Sequence, residues 1–250
     1  MGSEMCIRDR SDSTHGEITH FGLVTVRLTD AQGREGLGYT YTVNNIGAAA
    51  VLKLIEQDLA ESILSSSSDS IEAFWEEMWW HVHFVGRGGL AAFAMAAVDI
   101  ALWDLRAKTV NKPMWRLLGG DRCEVKAYAG GIDLDFTLDQ LLAQAEGFLA
   151  QGFQAIKMKV GRDVLEQDID RVQAMRKFVG SDFPLMADAN MRWTVDQAVK
   201  AATALASCGL YWLEEPVIPD DFIGHARVQS VGGVPAVSYT HLTLPTILLV

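Results

Sequence analysis

Apolar and polar positions alternate strictly near the start of the chain, where Val24, Val26 and Leu28 are interleaved with Thr25, Arg27 and Thr29. A period of two marks a strand with one buried face. Asp30-Ala31-Gln32-Gly33-Arg34 supplies turn residues and Gly36 to Thr42 runs on as a second strand, so the segment reads as a β-hairpin. From Gly47 to Ser62 the spacing becomes helical through Val51, Leu54, Ile55 and Leu59, and the serine run Ser65 to Ser68 breaks it. Ile71 to Trp80 forms a further amphipathic helix. Leu90 to Lys108 forms a long, mostly apolar one with its charges towards the end. Hairpin and helices together make an α+β unit.

After Pro113 and Gly119-Gly120 the texture changes. Four short apolar runs, Val125 to Ala129, Ala155 to Lys159, Pro184 to Asp188 and Leu210 to Glu214, are separated by three helical segments. Each segment opens on an acceptor three residues ahead of an acid or amide, the layout of a capping box: Thr137 with Gln140, Asp163 with Glu166, Thr194 with Gln197. Successive βα units of about 30 residues imply parallel strands, because each crossover needs its own helix. This part is α/β, either a doubly wound sheet or part of a (β/α) barrel.

Composition narrows the partners. A hydrophobic content of 49% and a mean hydropathy of +0.12 allow a large core. The net charge of −11 and a pI near 4.9 leave no basic field for nucleic acid or an anionic membrane, so a small molecule is the default ligand. The longest apolar patch, Leu90 to Ala101, is interrupted by Asp99 and falls short of the roughly 18 residues a membrane span needs; it reads as a buried helix. Cys6, Cys123 and Cys208 are odd in number and lack metal or disulfide spacing, which points to a reducing, cytoplasmic setting. Residues 1–11 and 238–250 read as translated adapter sequence, leaving a fragment with residues 12–120 as the α+β unit and 121–237 as the α/β unit.

Candidate chemistry gathers at strand ends. In the stretch Ala155 to Val160, Lys157 and Lys159 share one face while Ile156, Met158 and Val160 take the other. Two close ammonium groups disfavour each other's protonation, one route to a basic lysine near neutral pH, although the spacing alone favours a solvated strand face. Side chains at the carboxyl ends of parallel strands face the ligand side, and that rule adds Asp188 and Glu214. Each acid alone has a bland reading, as a helix N-terminal charge or a strand-end surface group. Coincidence at three consecutive units favours a site. Hard carboxylate donors without Cys or a nearby His suit Mg²⁺. Asn190 shares the face of Asp188 if the backbone stays extended, and Pro216 ends its strand. His81 and His83 diverge if helical and then read as packing or solvated groups. Gly86-Arg87-Gly88-Gly89 reads as a tight turn or an anion cradle.

Lys157-Met158-Lys159, Asp188-Ala189-Asn190 and Trp212-Leu213-Glu214-Glu215-Pro216, in that order and at near-equal intervals, resemble the enolase superfamily, in particular its mandelate racemase and muconate lactonising branch. Gly86 to Leu90 and Asp99 to Asp104 resemble the end of that family's capping domain, and the likeness covers residues 12–237. It implies an α+β capping domain followed by a modified (β/α) barrel, here four to five strands of one. It also implies Mg²⁺ chemistry in which Asp188 and Glu214 are metal ligands, Lys159 is the base and Lys157 tunes it, with Asn190 and Glu215 supporting. The implied reaction removes the proton α to a carboxylate, with dehydration of a sugar acid to a 2-keto-3-deoxy acid as the leading outcome. Racemisation, cycloisomerisation and a non-catalytic fragment are the alternatives, and Schiff-base chemistry at Lys159 is disfavoured because it leaves the carboxylates without a task. The family's third carboxylate would fall at Thr240, and its His and Asp pair from later strands would lie beyond. The expectations are an incomplete, inactive chain and a homo-oligomeric full-length parent.

Overall fold

The computed structural model describes residues 10–12, 14, 16–68, 70–86, 88–121 and 124–238. The ends expected to be non-native fall largely outside this set, as do Cys6, Arg87, Cys123 and Thr240. The chain divides into two compact units. One comprises the described residues of Ile18–Val125, the other those of Lys126–Val250 together with those of Asp9–Glu17.

A short two-stranded sheet, β1 (Arg10–Asp12) and β2 (Gly16–Ile18), opens the chain. The first unit contains the hairpin of β3 (Phe21–Thr29) and β4 (Glu35–Val43), paired antiparallel from Phe21↔Val43 to Thr29↔Glu35. The predicted alternation is realised: Val24 and Val26 are buried, whereas Leu23, Tyr39 and Tyr41 lie exposed on the other face. Against the buried face lies α4 (Leu90–Thr109), and Gly36 and Gly38 permit its approach. A Cβ on Gly38 would stand 1.9 Å from the Ala97 carbonyl oxygen, and one on Gly36 would stand 2.2 Å from that of Ala101. The helical run after the hairpin is α1 (Ala48–Lys53), a π-helical turn (Leu54–Leu59) and α2 (Ala60–Ser65), and it stops at the serine run as expected. The third helix, α3 (Ile71–Val82), packs on α4, and Met78, Val82, Ala94 and Val98 join Val24, Val26, Val51 and Leu59 in one core. His81 is helical and His83 follows the helix; both are exposed, the His83 ring stacked beside Trp79 with its Nδ1 2.5 Å from the Trp80 carbonyl oxygen, in line with packing or solvated groups. The short α5 (Met114–Leu117) closes the unit.

The second unit is a run of βα repeats: β5 (Ala129–Gly130), α6 (Leu138–Ala150), β6 (Ile156–Lys159), α7 (Leu165–Val179), β7 (Leu185–Asp188), α8 (Val195–Leu205), β8 (Leu213–Glu214), α9 (Phe222–Val231) and β9 (Ala236–Val237). The strands form one parallel sheet in sequence order, each joined to the next by a helix, which is the wall of a partial (β/α) barrel. Ile156, Met158, Leu185, Ala187 and Leu213 pack with Leu141, Val172, Ala198 and Leu205 in its core. The first strand is shorter than the apolar run suggested. Pairing begins only where the Ala129 N–H meets the Ala155 carbonyl, and Val125 is 91% exposed. Capping boxes form at Thr137 with Gln140 and at Thr194 with Gln197. Asp163 does not cap: α7 starts after Val164, and the Asp163 carboxylate instead accepts a hydrogen bond from Arg192 Nη2 at 2.6 Å. No helix among the described residues is long and apolar enough to cross a membrane.

Candidate active site at the strand ends

Parallel register lines up the carboxyl ends of three strands. Lys159 of β6 is the Cα partner of Asp188 on β7, and Asp188 is the partner of Glu214 on β8. As the alternation predicted, both lysines leave β6 on the side away from Ile156 and Met158. Lys159 Nζ donates to Asp188 Oδ2 at 2.7 Å. Lys157 Nζ lies 3.5 Å from that same oxygen and donates to Glu214 Oε1 at 2.8 Å. Trp212, two residues before Glu214, donates its indole N–H to Glu214 Oε2 at 3.1 Å, and the Lys157 ammonium lies over the Tyr128 ring, 5.4 Å from its centroid.

Two cations and two carboxylates therefore alternate in a largely buried cluster of zero formal charge. Burial alone would depress the pKa of Lys157. The hydrogen bond to Glu214 and the charges of Asp188 and Glu214 together outweigh it, so the ammonium form is favoured.

Beyond the strands the chain turns abruptly. Asn190, Met191 and Glu215 adopt positive φ values of 46°, 64° and 47°. Such backbone costs about 1–3 kcal/mol per non-glycine residue and persists where surrounding contacts dictate it. Met191 N–H donates to the Glu215 carbonyl at 2.7 Å, tying the two turns together. Asn190 thus departs from the extended path anticipated for it, yet still reaches the cluster. Its N–H donates to Asp188 Oδ1 at 3.0 Å, and its Nδ2 lies 3.5 Å from Asp188 Oδ2 and 3.3 Å from Glu215 Oε2. The Asn190 carbonyl oxygen accepts from the Thr14 hydroxyl.

The donor set fits a hard divalent cation. Asp188 and Glu214 offer carboxylate oxygens from adjacent strands, and Asn190 Oδ1 is buried without a hydrogen-bond partner. Mg²⁺ retains several waters and commonly takes only one or two protein carboxylates. Among the described residues no group of three or more His, Cys, Asp or Glu is arranged to hold a metal. Sequence reasoning missed Asp133, which reaches the Lys159 backbone, and the Trp212 bond to Glu214. Trp212 sits two residues before Glu214, a spacing that signals a shared strand face; for Asp133 no local signal exists.

Residues 11–119 match the N-terminal domain of mandelate racemase / muconate lactonizing enzyme, and residues 140–243 match an enolase C-terminal domain-like family. A 3,6-anhydro-alpha-L-galactonate cycloisomerase of Streptomyces coelicolor is 53% identical over 89% of this chain and 62% of its own length. An L-talarate/galactarate dehydratase of Salmonella typhimurium is 32% identical over 90% of this chain and 56% of its own. The chain thus spans less than two thirds of the length of these relatives. Among solved structures, a racemase from Streptomyces coelicolor with bound magnesium superposes with a TM-score of 0.89 at 51% identity, covering 92% of this chain and 64% of that one. With two domain models in tandem, the predicted strand-end residues clustered and these relatives in agreement, the chain belongs to the enolase superfamily, in its mandelate racemase and muconate lactonising branch.

Proposed function

We propose that the protein of which this chain is part removes the proton α to the carboxylate of a sugar acid and eliminates the oxygen on the β carbon, with Lys159 as the base. The observation that carries this reading is the sharing of Asp188 Oδ2 by Lys159 and Lys157, at 2.7 and 3.5 Å, beside Glu214. Mg²⁺ held by Asp188 and Glu214 would supply Lewis-acid stabilisation of negative charge developing on the substrate carboxylate. Lys159 takes the proton once its Nζ is released from Asp188. Lys157 keeps a positive charge beside it, which attracts the anionic substrate. Trp212 and Lys157 fix the two oxygens of Glu214, and Asn190 links the Asp188 and Glu215 carboxylates.

The same step leads to two products. If the leaving oxygen is a β-hydroxyl, it departs with one proton as water, so that the α proton and the hydroxyl are lost together and the reaction is a dehydration. If it is the ether of an anhydro ring, it takes up one proton as the ring opens, nothing is lost and the product is an isomer. The 53% identity to a cycloisomerase favours an anhydro sugar acid, while the dehydratases at 31–34% identity support an open-chain one. The cysteine pattern supports a cytoplasmic setting.

Joining residues 12–237 to the C-terminal part of the Streptomyces relative allows a direct assay. The chimaera is expected to form 2-keto-3-deoxy acid in the presence of Mg²⁺ from 3,6-anhydro-L-galactonate or from an open-chain acid sugar. Lys159→Ala is expected to lower turnover by at least ~100-fold. Full turnover in Lys159→Ala would overturn the assignment of the base.

A further inference from the structure

We propose that Asp133 is a positioning residue that aims Lys159 through its backbone. The inference rests on the reading of Lys159 as the base. The ladder between β5 and β6 ends early. Gly130 pairs with Lys157, and Gly131 N–H still donates to the Lys157 carbonyl at 2.8 Å, but the next rung falls to a side chain. Asp133 Oδ1 accepts the Lys159 N–H at 2.9 Å. A buried carboxylate thus continues the sheet where the neighbouring strand has turned away.

Every amide from Lys159 to Arg162 then has an acceptor. Val160 N–H donates to the Asp188 carbonyl at 2.9 Å, and Gly161 and Arg162 N–H both donate to Asp168 Oδ2, at 2.9 and 3.0 Å. Buried backbone donors must be paired, and three of these four are paired by carboxylates from outside the strand. Asp133 is itself clamped. Arg171 Nη2 donates to its carbonyl at 2.8 Å and lies 3.6 Å from Oδ1, both residues being buried. Gly131 leaves the room this requires, since a Cβ there would lie 1.8 Å from Asp133 Oδ2.

The Lys159 backbone is thereby held on one side by Asp133 and on the other by β7, with its ammonium delivered to Asp188. A long side chain magnifies backbone error: a rotation of ~10° at the Cα displaces Nζ by about 1 Å, enough at reacting distance to cost ~100-fold in rate. Asp133 touches no reacting atom; it acts through Lys159.

The test uses the present chain and requires no turnover, so its failure is distinct from failure of the proposed reaction. Amide exchange followed by NMR reads the Lys159 N–H, and reductive methylation followed by mass spectrometry reads its Nζ. In Asp133→Ala, Lys159 N–H is expected to exchange at least ~10-fold faster and Nζ to be methylated several-fold faster, with the β7 amides Met186 and Ala187 unchanged. Asp133→Asn retains an acceptor oxygen and is expected to restore both rates to within ~3-fold of the parent. Should Asp133→Ala not fold, Gly131→Ala, which dislodges the carboxylate, is expected to raise the Lys159 rates in the same way. Unchanged Lys159 rates in Asp133→Ala or Gly131→Ala would overturn the proposal. So would acceleration of β7 and Lys159 by the same factor, or failure of Asp133→Asn to restore the rates.

Discussion

Lys157→Met should bind Mg²⁺ more tightly than the parent chain. The ammonium of Lys157 donates to Glu214 Oε1 at 2.8 Å and lies 3.5 Å from Asp188 Oδ2, so one cation already engages both carboxylates that fit a metal. An attraction of this kind is worth about 4 kcal/mol at 4 Å in an effective dielectric near 20. Desolvation of the partly buried pair cancels most of that, leaving roughly 1–2 kcal/mol for an incoming cation to overcome. Removal of Lys157 changes the formal charge of the four-group cluster from zero to −1, and the expected gain in Mg²⁺ affinity is about 10-fold. Calorimetric titration of the two chains measures it directly. Lys157→Arg keeps the charge and should show no gain. The mutant without metal should also be less stable, because Glu214 loses an ion-pair partner, and Mg²⁺ should raise its melting temperature by more than it raises the parent's. Equal or weaker Mg²⁺ binding by Lys157→Met would refute the idea that lysine and metal compete for these oxygens.

Gly38→Ala should destabilise the first unit by at least ~2 kcal/mol in urea denaturation, because the new methyl meets the Ala97 carbonyl at 1.9 Å and the strand must separate from α4. Thr194→Ala removes a genuine cap and should cost about 1 kcal/mol, whereas Asp163→Ala, at a side chain 85% exposed, should cost less than ~0.5 kcal/mol; the reverse order would contradict the cap assignment. Burial, and then the charge of Glu72, raise the pKa of Asp99 above its ordinary value. The folded state therefore holds that proton more tightly than the unfolded chain, and the contribution of Asp99 to stability falls as pH rises from the ordinary carboxylate pKa through the raised one. Asp99→Asn should remove this decline and be the more stable chain at neutral pH; a melting temperature that falls at pH 7 after the substitution would argue against it.

The hairpin was legible because one face is buried, so hydrophobic period and register coincide from Phe21↔Val43 to Thr29↔Glu35. The βα units were legible for a similar reason, since strands covered by helices need apolar runs and the helices need start signals. The limits of that reasoning lie in chemistry that is not local. Asp163-x-x-Glu166 has the same spacing as the two working capping boxes, but Arg192, far along the chain, takes its carboxylate. The run from Val125 looks like a strand, yet no ladder partner meets it before Ala129. Strand-end placement put Lys157, Lys159, Asp188 and Glu214 together as candidates, and they lie in one cluster. It did not identify their pairing: spacing suggested two ammonium groups repelling each other, whereas each lysine is matched with a carboxylate from another strand. Asp133 was invisible because its role depends on where β5 stops.

Parallel pairing accounts for why these residue types occupy neighbouring strands. Adjacent strands lie about 4.8 Å apart, a distance that two short carboxylate side chains can close to share one small cation and that strands further apart could not. Lys159 sits one strand to the other side of Asp188 in the same row of Cα partners. The turns at Asn190, Met191 and Glu215 end the strands immediately after the row of Lys159, Asp188 and Glu214 and bring Asn190 Nδ2 to both Asp188 and Glu215. Extended backbone would send Asn190 along the direction of the strand, away from that bridge. The left-handed conformations are thus part of how Asn190 is brought to the row of strand ends, and the backbone strain is the counterpart of that placement.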